Sequence, residues 1–309
     1  MYRRMLVPID GSELAEVVFS YVKELAGRLD IDITLLHVCR PEERDLMPMH
    51  RAYIERAAEI VKQQSQSVQE MTGLQPGRQA VEARGEVATG HPAEEILSYA
   101  DRNGIDLILI ATHGRSGVRR WVMGSVADKI LRTSKIPVWL VRASTPKEVV
   151  YDQWPSRTIL VPLDGSKIAE AVLSHVESLA KQRGAELVEV ILLRVCEPEL
   201  VSSDYPEATM PLSWDEHLKR QTAYCKQVSE QYLAGIEKQL SDASLKVRSE
   251  VITGASPADE IISYASKNPF NLIVMATHGH SGLTRWAYGS VADRVLHGVS
   301  SPIFLVRPC

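Results

Sequence analysis

At 309 residues the chain is about twice the length of a common single domain, so its length predicts two hydrophobic cores. Its 45% hydrophobic and 24% charged residues are typical of a folded globular protein and exclude a largely disordered chain. The formal net charge of -4 at pH 7 excludes a general attraction to nucleic acid or to an anionic membrane, so an anionic ligand would need a local site.

The sequence pattern predicts neither a targeting segment nor a membrane span. The N-terminal stretch MYRRMLVPID reaches Asp10 after too few apolar residues for a signal peptide, and no run approaches roughly 18 consecutive apolar residues. The four cysteines form no CxxC pair, so their spacing favours neither a zinc site nor a dense disulfide framework. We therefore expect a cytoplasmic protein without a resident metal.

Short apolar runs alternate with segments of helical character through the first half of the chain. The runs predict strands at Arg4–Ile9, Ile31–Val38, Gln79–Val87, Asp106–Ala111 and Pro137–Val141. The segments between them predict helices at Glu13–Leu29, near His50–Glu70, from Pro92 onward and at Ser125–Arg132. Such alternation favours parallel strand pairing through right-handed crossovers, with helices on both faces of the sheet.

The second half of the chain repeats the first. RMLVPIDGSELAE (Arg4–Glu16) returns as TILVPLDGSKIAE (Thr158–Glu170), and ATHGRSGVRRWVMGSVADKIL (Ala111–Leu131) returns as ATHGHSGLTRWAYGSVADRVL (Ala276–Leu296). The repeat predicts two tandem α/β domains, at 1–144 and 157–309, joined by a proline-containing linker at 145–156. Each domain is expected to hold an open five-stranded parallel sheet in the order 3-2-1-4-5.

Two motifs in each copy lie where predicted strands end. Asp10 and Gly11 follow the first strand, and the segment His113–Ser125 follows the fourth. In an open parallel sheet, ligands bind at the carboxyl ends of the strands, where the strand order reverses. The first and fourth strands are neighbours in the predicted order, so both motifs should face one crevice. Ser12, and Ser166 in the second copy, are expected to cap the helices that follow.

The second motif has the composition of an anion-binding loop. Its glycines and serine are Gly114, Gly124 and Ser125, and in the second copy Gly279, Gly289 and Ser290. Glycines let backbone amides approach an anion, and a helix beginning at Gly124 points unpaired N–H groups and a positive dipole end at it. Phosphate is the natural ligand, although the same glycines can also serve the geometry of a strand-to-helix turn. Neither a Walker GxxxxGK[ST] loop nor a GxGxxG motif is present.

These motifs also carry a family resemblance. VPIDGS, ATHGRSGVRRWVMGSVADKILR and PVWLVR, with their counterparts VPLDGS, ATHGHSGLTRWAYGSVADRVL and PIFLVR, strongly resemble the universal stress protein family. The resemblance covers both halves of the chain and implies an adenine nucleotide alpha hydrolase-like fold. It further implies binding of ATP, or of ADP or AMP, in each domain, with Mg²⁺ as an accompanying ion. The family's nucleotide-binding pattern is G-x2-G-x9-G-[ST], and its first glycine corresponds to Ala111 and Ala276 here.

The resemblance implies which residues line each nucleotide site. In domain 1 they are Pro8, Asp10, Val38, Ala111, His113, Gly114, Arg115, Gly117, Gly124, Ser125 and Val126, and in domain 2 Pro162, Asp164, Val195, Ala276, His278, Gly279, His280, Gly282, Gly289, Ser290 and Val291. Asp10 and Asp164 would lie near the ribose, because a carboxylate can accept hydrogen bonds from the ribose hydroxyls. Aspartate before glycine can also cap a turn. The main chain of Val38, and of its counterpart, would read the adenine edge. Because His280 replaces Arg115, the two sites are expected to differ in affinity.

Other repeated residues have simpler interpretations. His113 and His278 have no carboxylate or cysteine at metal-ligand spacing beside them, which disfavours a metal role. Cys39 and Cys196 occupy matching positions just after the predicted second strand of each copy. A small buried hydrophobe is favoured for both over redox sensing.

Three functions remain open. A nucleotide-binding regulatory protein of the stress response is favoured, because a phosphate loop is present without a recognisable general base or nucleophile, and no catalytic residue is predicted. The alternatives are a slow ATPase or phosphotransfer enzyme, with Asp10 or Asp164 helping to place Mg²⁺, and a scaffold of the same fold that binds no nucleotide. The resemblance also implies that Pro137–Val141 and Pro302–Val306 pair antiparallel, which forms a dimer-like unit within one chain and leaves homodimerisation open.

Overall fold

The strands and helices alternate along the chain as predicted. The computed structural model describes residues 1–12, 17–72, 79–112, 123–142, 158–198, 214–268, 270–279 and 288–308. The described strands of the first half are β1 (Arg4–Pro8), β2 (Asp32–Cys39), β3 (Ala83–Thr89), β4 (Leu107–Ala111) and β5 (Val138–Val141). Those of the second half are β6 (Thr158–Pro162), β7 (Glu189–Cys196), β8 (Lys246–Thr253), β9 (Leu272–Ala276) and β10 (Ile303–Val306).

The helices repeat between the halves as the strands do. The first half has α1 (Phe19–Leu29), α2 (Met47–Met71), α3 (Pro92–Arg102) and α4 (Ser125–Thr133), with a 3-10 helix at Pro41–Leu46. The second half has α5 (Lys167–Glu170), α6 (Leu173–Arg183), α7 (Trp214–Asp242), α8 (Pro257–Lys267) and α9 (Ser290–Gly298), with a 3-10 turn at Ala185–Leu187. Within the described ranges, none of the helices combines the length and hydrophobicity that crossing a membrane requires.

The ten described strands form one sheet, in the order β3-β2-β1-β4-β5-β10-β9-β6-β7-β8. Each half therefore has the predicted order 3-2-1-4-5, and the strands within each half pair in parallel. The predicted α/β class and strand order are confirmed. The order reverses at the β1–β4 pair and again at the β6–β9 pair, which are the positions where open parallel sheets form ligand crevices.

The core lies on both faces of this sheet. β4 and β9 are buried along their whole length, as expected of central strands that are covered on both sides. Tyr21, Val22 and Leu25 of α1 pack into the core as the amphipathic pattern predicts.

Two predicted element starts differ from the observed ones by about four residues or more, and the other boundaries shift by less. The helix predicted from Glu13 begins at Phe19, and residues 13–16 lie outside the described part of the chain. The third strand begins at Ala83 rather than at Gln79, because its pairing with β2 starts at Ile33 opposite Ala83. A strand boundary depends on where the neighbouring strand offers partners, which a local pattern does not contain.

The two halves join through their last strands. β5 and β10 pair antiparallel, with Ile303 opposite Leu140 and Phe304 opposite Trp139. The buried Phe304 ring meets the Trp139 ring edge-on, with 5.9 Å between the centroids. The predicted antiparallel pairing is confirmed, and it leaves neither last strand as an exposed sheet edge.

Polar contacts of the N-terminus extend this join. Gln182 of α6 donates from Nε2 to the carbonyl of Tyr2 at 2.6 Å and accepts from the Tyr2 N–H at 2.9 Å. The Tyr2 hydroxyl lies 2.5 Å from Nδ1 of His175. Burial raises the pKa of Tyr2 and lowers the pKa of His175, so both side chains stay neutral near pH 7.

Two arginines cross the join reciprocally. Arg142, which follows β5, donates to the carbonyl of Leu296 in α9 at 2.9 Å. Arg307, which follows β10, donates to the carbonyl of Arg132 in α4 at 2.7 Å. Each domain thus binds the C-terminal turn of a helix in the other domain, where a cation also interacts favourably with the helix dipole.

Candidate functional site

The first loop of the candidate site follows β1 and is held by an aspartate. Asp10 accepts at Oδ1 from the N–H of Ser12 at 3.0 Å and from its hydroxyl at 2.7 Å. Gly11 has a φ of 77°, a left-handed conformation that favours glycine. The turn-capping role of Asp10 is therefore present, and one carboxylate oxygen serves it.

The loop after β6 repeats this geometry. The N–H of Ser166 donates to Asp164 Oδ1 at 2.9 Å, and Gly165 has a φ of 86°. The Ser166 hydroxyl accepts from the N–H of Ala169 at 3.1 Å and so caps α5. The predicted cap is confirmed for Ser166, whereas the residues directly after Ser12 are outside the described ranges.

The second loop ends in a glycine at the start of a helix. α4 begins directly after Gly124, and α9 directly after Gly289. The N–H of Gly124 donates to the Thr112 carbonyl at 2.7 Å, and that of Gly289 to the Thr277 carbonyl at 2.8 Å. These bonds hold each helix start beside the end of β4 or β9. A glycine N-cap has no side chain to bind the first-turn N–H groups, which suits this end of the helix to an anion.

Neither backbone strain nor contact with a described residue requires the glycine before α9. Gly289 has φ -67° and ψ 151°, a conformation open to any residue. Among the described residues, the nearest neighbour of a Cβ built on it would be the Thr277 carbonyl oxygen at 3.7 Å, an ordinary contact distance. The described backbone geometry and neighbours of Gly289 therefore do not require glycine at this position.

Gly279 shows that the two loops of domain 2 touch. A Cβ on Gly279 would collide with the carboxylate of Asp164. The loops after β6 and β9 are therefore in contact at the switch point, as the predicted strand order requires. A larger residue at position 279 would therefore require the Asp164 side chain to move.

A cavity of about 470 Å³ opens at the β1–β4 switch point of domain 1. The predicted site residues that line it are Pro8, Asp10, Val38, Ala111, Gly124, Ser125 and Val126. Its volume lies in the range of roughly 300–1,000 Å³ that is typical of small-molecule sites. The structure thus brings together residues that the sequence assigned to one site from three different strand ends.

Further residues of this lining supply apolar surface and charge. Leu36, Ile96 and Ile110 supply apolar surface, and Arg40 and Glu43 supply charge. The Glu43 carboxylate accepts from the N–H of Arg40 at 3.2 Å. Sequence reasoning missed these five residues. The signal that points to Arg40 is its place directly after the second strand, because ligands bind at strand ends.

The predicted residues of domain 2 occupy equivalent places. Pro162 ends β6, Val195 lies one residue before the end of β7, Ala276 ends β9, His278 follows it, and Ser290 and Val291 open α9. Nδ1 of His278 lies 3.0 Å from the Thr277 hydroxyl.

Part of the predicted site falls outside the described residues. These positions are His113, Gly114, Arg115, Gly117, His280 and Gly282. The predicted contrast between Arg115 and His280 therefore stays a prediction.

A different contrast between the domains is described. His37 of β2 places Nδ1 at 2.9 Å from the Ile9 carbonyl, beside the first loop of domain 1. The corresponding Arg194 of β7 lies over the Tyr232 ring, 4.9 Å from its centroid, and a Cβ on Gly165 would lie 2.9 Å from its Nη1. Domain 2 therefore has a permanent cation beside its first loop, where domain 1 has an imidazole.

Cys196 also differs from the sequence interpretation. It forms a disulfide with Cys225, with 5.9 Å between the Cα atoms, which ties the end of β7 to α7. Cys196 is buried as predicted, but the interpretation of it as a packing residue alone is wrong. Cys39, at the matching position of β2, is a buried thiol.

Comparison with known proteins follows the division into two domains. A family model described as the universal stress protein family matches residues 1–142 and again 155–307. A universal stress protein of Mycobacterium tuberculosis (strain ATCC 25618 / H37Rv) is 22% identical over 314 residues, which covers 98% of this chain and 96% of that protein. The universal stress protein YxiE of Bacillus subtilis (strain 168) is 29% identical over 148 residues, which covers 46% of this chain and 100% of that protein.

The whole fold also matches a solved structure. The crystal structure of a universal stress protein from Archaeoglobus fulgidus DSM 4304 superposes with a TM-score of 0.64 at 20% sequence identity and covers 98% of both chains. The family model accounts for nearly the whole chain in two successive copies. The chain therefore belongs to the universal stress protein family, as a tandem two-domain member.

Proposed function

We propose that each domain binds an adenine nucleotide, with ATP as the principal ligand, and that the protein acts by binding, as a regulator of a stress response in the cytoplasm. The proposed binding units are residues 1–144 and 157–309, with a linker at 145–156. The observation that carries the proposal is the cavity between the Asp10 loop and the start of α4.

The cavity has a surface suited to each part of the nucleotide. Leu36, Val38 and Ile96 offer an apolar wall for the flat face of the base. In this proposal the main chain of Val38 reads the adenine edge, and the Asp10 carboxylate accepts a ribose hydroxyl. An apolar pocket with a few directed polar groups is the usual composition of a small-molecule site.

The phosphates would lie at the start of α4. The first-turn N–H groups after Gly124 and the Ser125 hydroxyl are donors at the positive end of a helix dipole. Mg²⁺ would accompany ATP through the phosphate oxygens, since this ion commonly takes its ligands from phosphates, water and one or two carboxylates.

The lining supports binding rather than turnover. Its carboxylates among the described residues are Asp10 and Glu43, and both accept backbone hydrogen bonds that shape their loops, from Ser12 and Arg40. Neither is placed by these contacts as a base for an attacking water.

Calorimetric titration of the nucleotide-stripped chain tests the proposal. ATP with Mg²⁺ is expected to bind with up to two equivalents, and Gly124→Val with Gly289→Val is expected to abolish binding because the side chains fill the phosphate approach. The matched control is Gly235→Val, since no described atom lies within 4 Å of a Cβ at Gly235 on α7. Absence of ATP, ADP and AMP binding at millimolar concentration would leave the scaffold alternative. Steady phosphate release that the double variant lacks would establish the ATPase alternative.

A further inference from the structure

Domain 1 contains a compact cluster of metal-ligating side chains beside the nucleotide cavity. The ligand atoms of His37, Cys39 and His50 all lie within 4.8 Å of one another. His37 and Cys39 alternate along β2 and therefore project from the same face of the strand. His50 comes from the first turn of α2, which packs on that face.

All three side chains are buried, with 2% of His37, 0% of Cys39 and 7% of His50 exposed to solvent. The His50 and His37 rings stack, with 4.3 Å between their centroids. Among the described residues, Nε2 of His50 is buried without a hydrogen-bond partner. Buried polar atoms are nearly always satisfied by a partner, a water or an ion, and a bound metal ion would satisfy this nitrogen.

The orientation of His37 is that of a metal ligand. Its Nδ1 lies 2.9 Å from the carbonyl oxygen of Ile9, which can only accept, so Nδ1 carries the proton and donates. This tautomer places the lone pair of the ring on Nε2, so Nε2 is the nitrogen of His37 that can coordinate a metal. A coordinating histidine commonly donates its second nitrogen to a backbone carbonyl in this way.

We propose that His37, Cys39 and His50 bind one Zn²⁺ ion in domain 1. Two imidazoles and a thiolate suit Zn²⁺, whereas Mg²⁺ and Ca²⁺ require oxygen ligands. Zinc bonds of about 2.0–2.3 Å bring tetrahedral donors to within about 3.5 Å of each other, so the side chains close in on the ion by roughly an ångström. Binding deprotonates the Cys39 thiol and releases its proton to solvent.

The second domain provides an internal control. Arg194 replaces His37 at the corresponding strand position, and the corresponding Cys196 is in the disulfide with Cys225. Domain 2 therefore lacks this donor set, and the expected stoichiometry is one ion per chain. The inference does not depend on nucleotide binding.

Metal titration of the full chain tests the proposal. The chelator-treated, unreduced protein is expected to bind one equivalent of Zn²⁺ against a chromophoric competitor, and one equivalent of Co²⁺ with a thiolate charge-transfer band. Cys39→Ala and His50→Leu are each expected to weaken Zn²⁺ binding at least 100-fold, whereas Cys196→Ala with Cys225→Ala, and Cys309→Ser, leave the stoichiometry unchanged.

The absorption spectrum of the wild-type chain with Co²⁺ tests the proposal even if a variant at a buried position does not fold. Absence of the thiolate-to-cobalt band in the wild-type chain overturns the proposal. So does Zn²⁺ binding that persists unchanged in a folded Cys39→Ala or His50→Leu chain, because the ion then lies elsewhere.

Discussion

The variant Gly289→Ala tests whether Gly289 is needed for ligand binding or for folding, because the two roles predict different effects on ATP affinity and on the free energy of unfolding. The backbone conformation of Gly289 is open to alanine, and the added Cβ meets no described atom closer than 3.7 Å. Replacing glycine at a compatible position stabilises by about 0.4–1 kcal/mol through the unfolded chain. Alanine is a poorer N-cap than glycine by a similar amount. The two effects oppose each other, so the free energy of unfolding should change by less than about 1 kcal/mol.

The effect on nucleotide affinity should be much larger. The new methyl group stands at the start of α9, beside the N–H groups proposed to bind phosphate. Loss of one hydrogen bond to a charged group is worth about 1.5–3 kcal/mol, which corresponds to a decrease in affinity of about tenfold to a hundredfold. The measurement uses a Gly124→Val background, so that only the second site binds.

Titration calorimetry with ATP and Mg²⁺, and urea unfolding of the same samples, measure the two quantities. Gly235→Ala is the matched control, because no described atom lies within 4 Å of its Cβ, and it should leave affinity unchanged. Unchanged ATP affinity in Gly289→Ala, or a loss of stability above about 2 kcal/mol, would refute the reasoning. Gly289 would then be needed for the geometry of the strand-to-helix turn.

Three further predictions concern the joined sheet and the disulfide. Phe304→Ala removes a buried ring that packs on Trp139, so urea unfolding should show a loss of about 3–5 kcal/mol; a loss below 1 kcal/mol contradicts this packing. Burial lowers the pKa of His175, so the contribution of the neutral imidazole to stability is complete above its ordinary pKa of 6.5 and is lost as the pH falls from there toward the folded-state pKa. In thermal melts over this pH range, His175→Gln should therefore show a smaller fall in stability with falling pH than the wild-type chain. An equal fall in both proteins would contradict this prediction. The denatured oxidised chain should expose two fewer thiols than the reduced chain, and equal thiol counts would exclude the disulfide. Cys196 and Cys225 are 29 residues apart, so reducing the bond between them should lower the free energy of unfolding by roughly 3–4 kcal/mol.

The elements predictable from sequence are those determined by neighbouring residues. The apolar runs that become β4 and β9 and the turn at Asp10 and Gly11 depend on local spacing and on backbone conformation. The strand order followed from the alternation of elements together with the family resemblance. The antiparallel β5–β10 pair came from the resemblance alone, because a sequence pattern does not specify which domain covers an exposed edge.

The parts that escaped prediction depend on packing between distant elements. Cys225 reaches Cys196 because α7 packs beside β7, and nothing in a separation of 29 residues indicates this. The cluster of His37, Cys39 and His50, which is proposed to bind Zn²⁺, was not predicted, because the absence of a CxxC pair disfavoured zinc. The alternation of His37 and Cys39 on one strand was a usable signal, but the third ligand, His50, is placed only by the docking of α2 on the sheet.

The reciprocal arginines give a physical reason for fusing two copies. α4 and α9 are the helices whose first turns are proposed to bind phosphate, and their last turns are bound by Arg307 and Arg142 of the opposite domain. An isolated domain would leave those carbonyl groups to water and would expose the edges of β5 and β10. Because β5 and β10 pair antiparallel, the strands of the two halves run in opposite directions. The two proposed sites, which lie at the carboxyl ends of these strands, therefore open on opposite sides of the sheet. The fusion therefore anchors the last turn of each of these helices in the other domain, and it keeps the two proposed nucleotide sites apart.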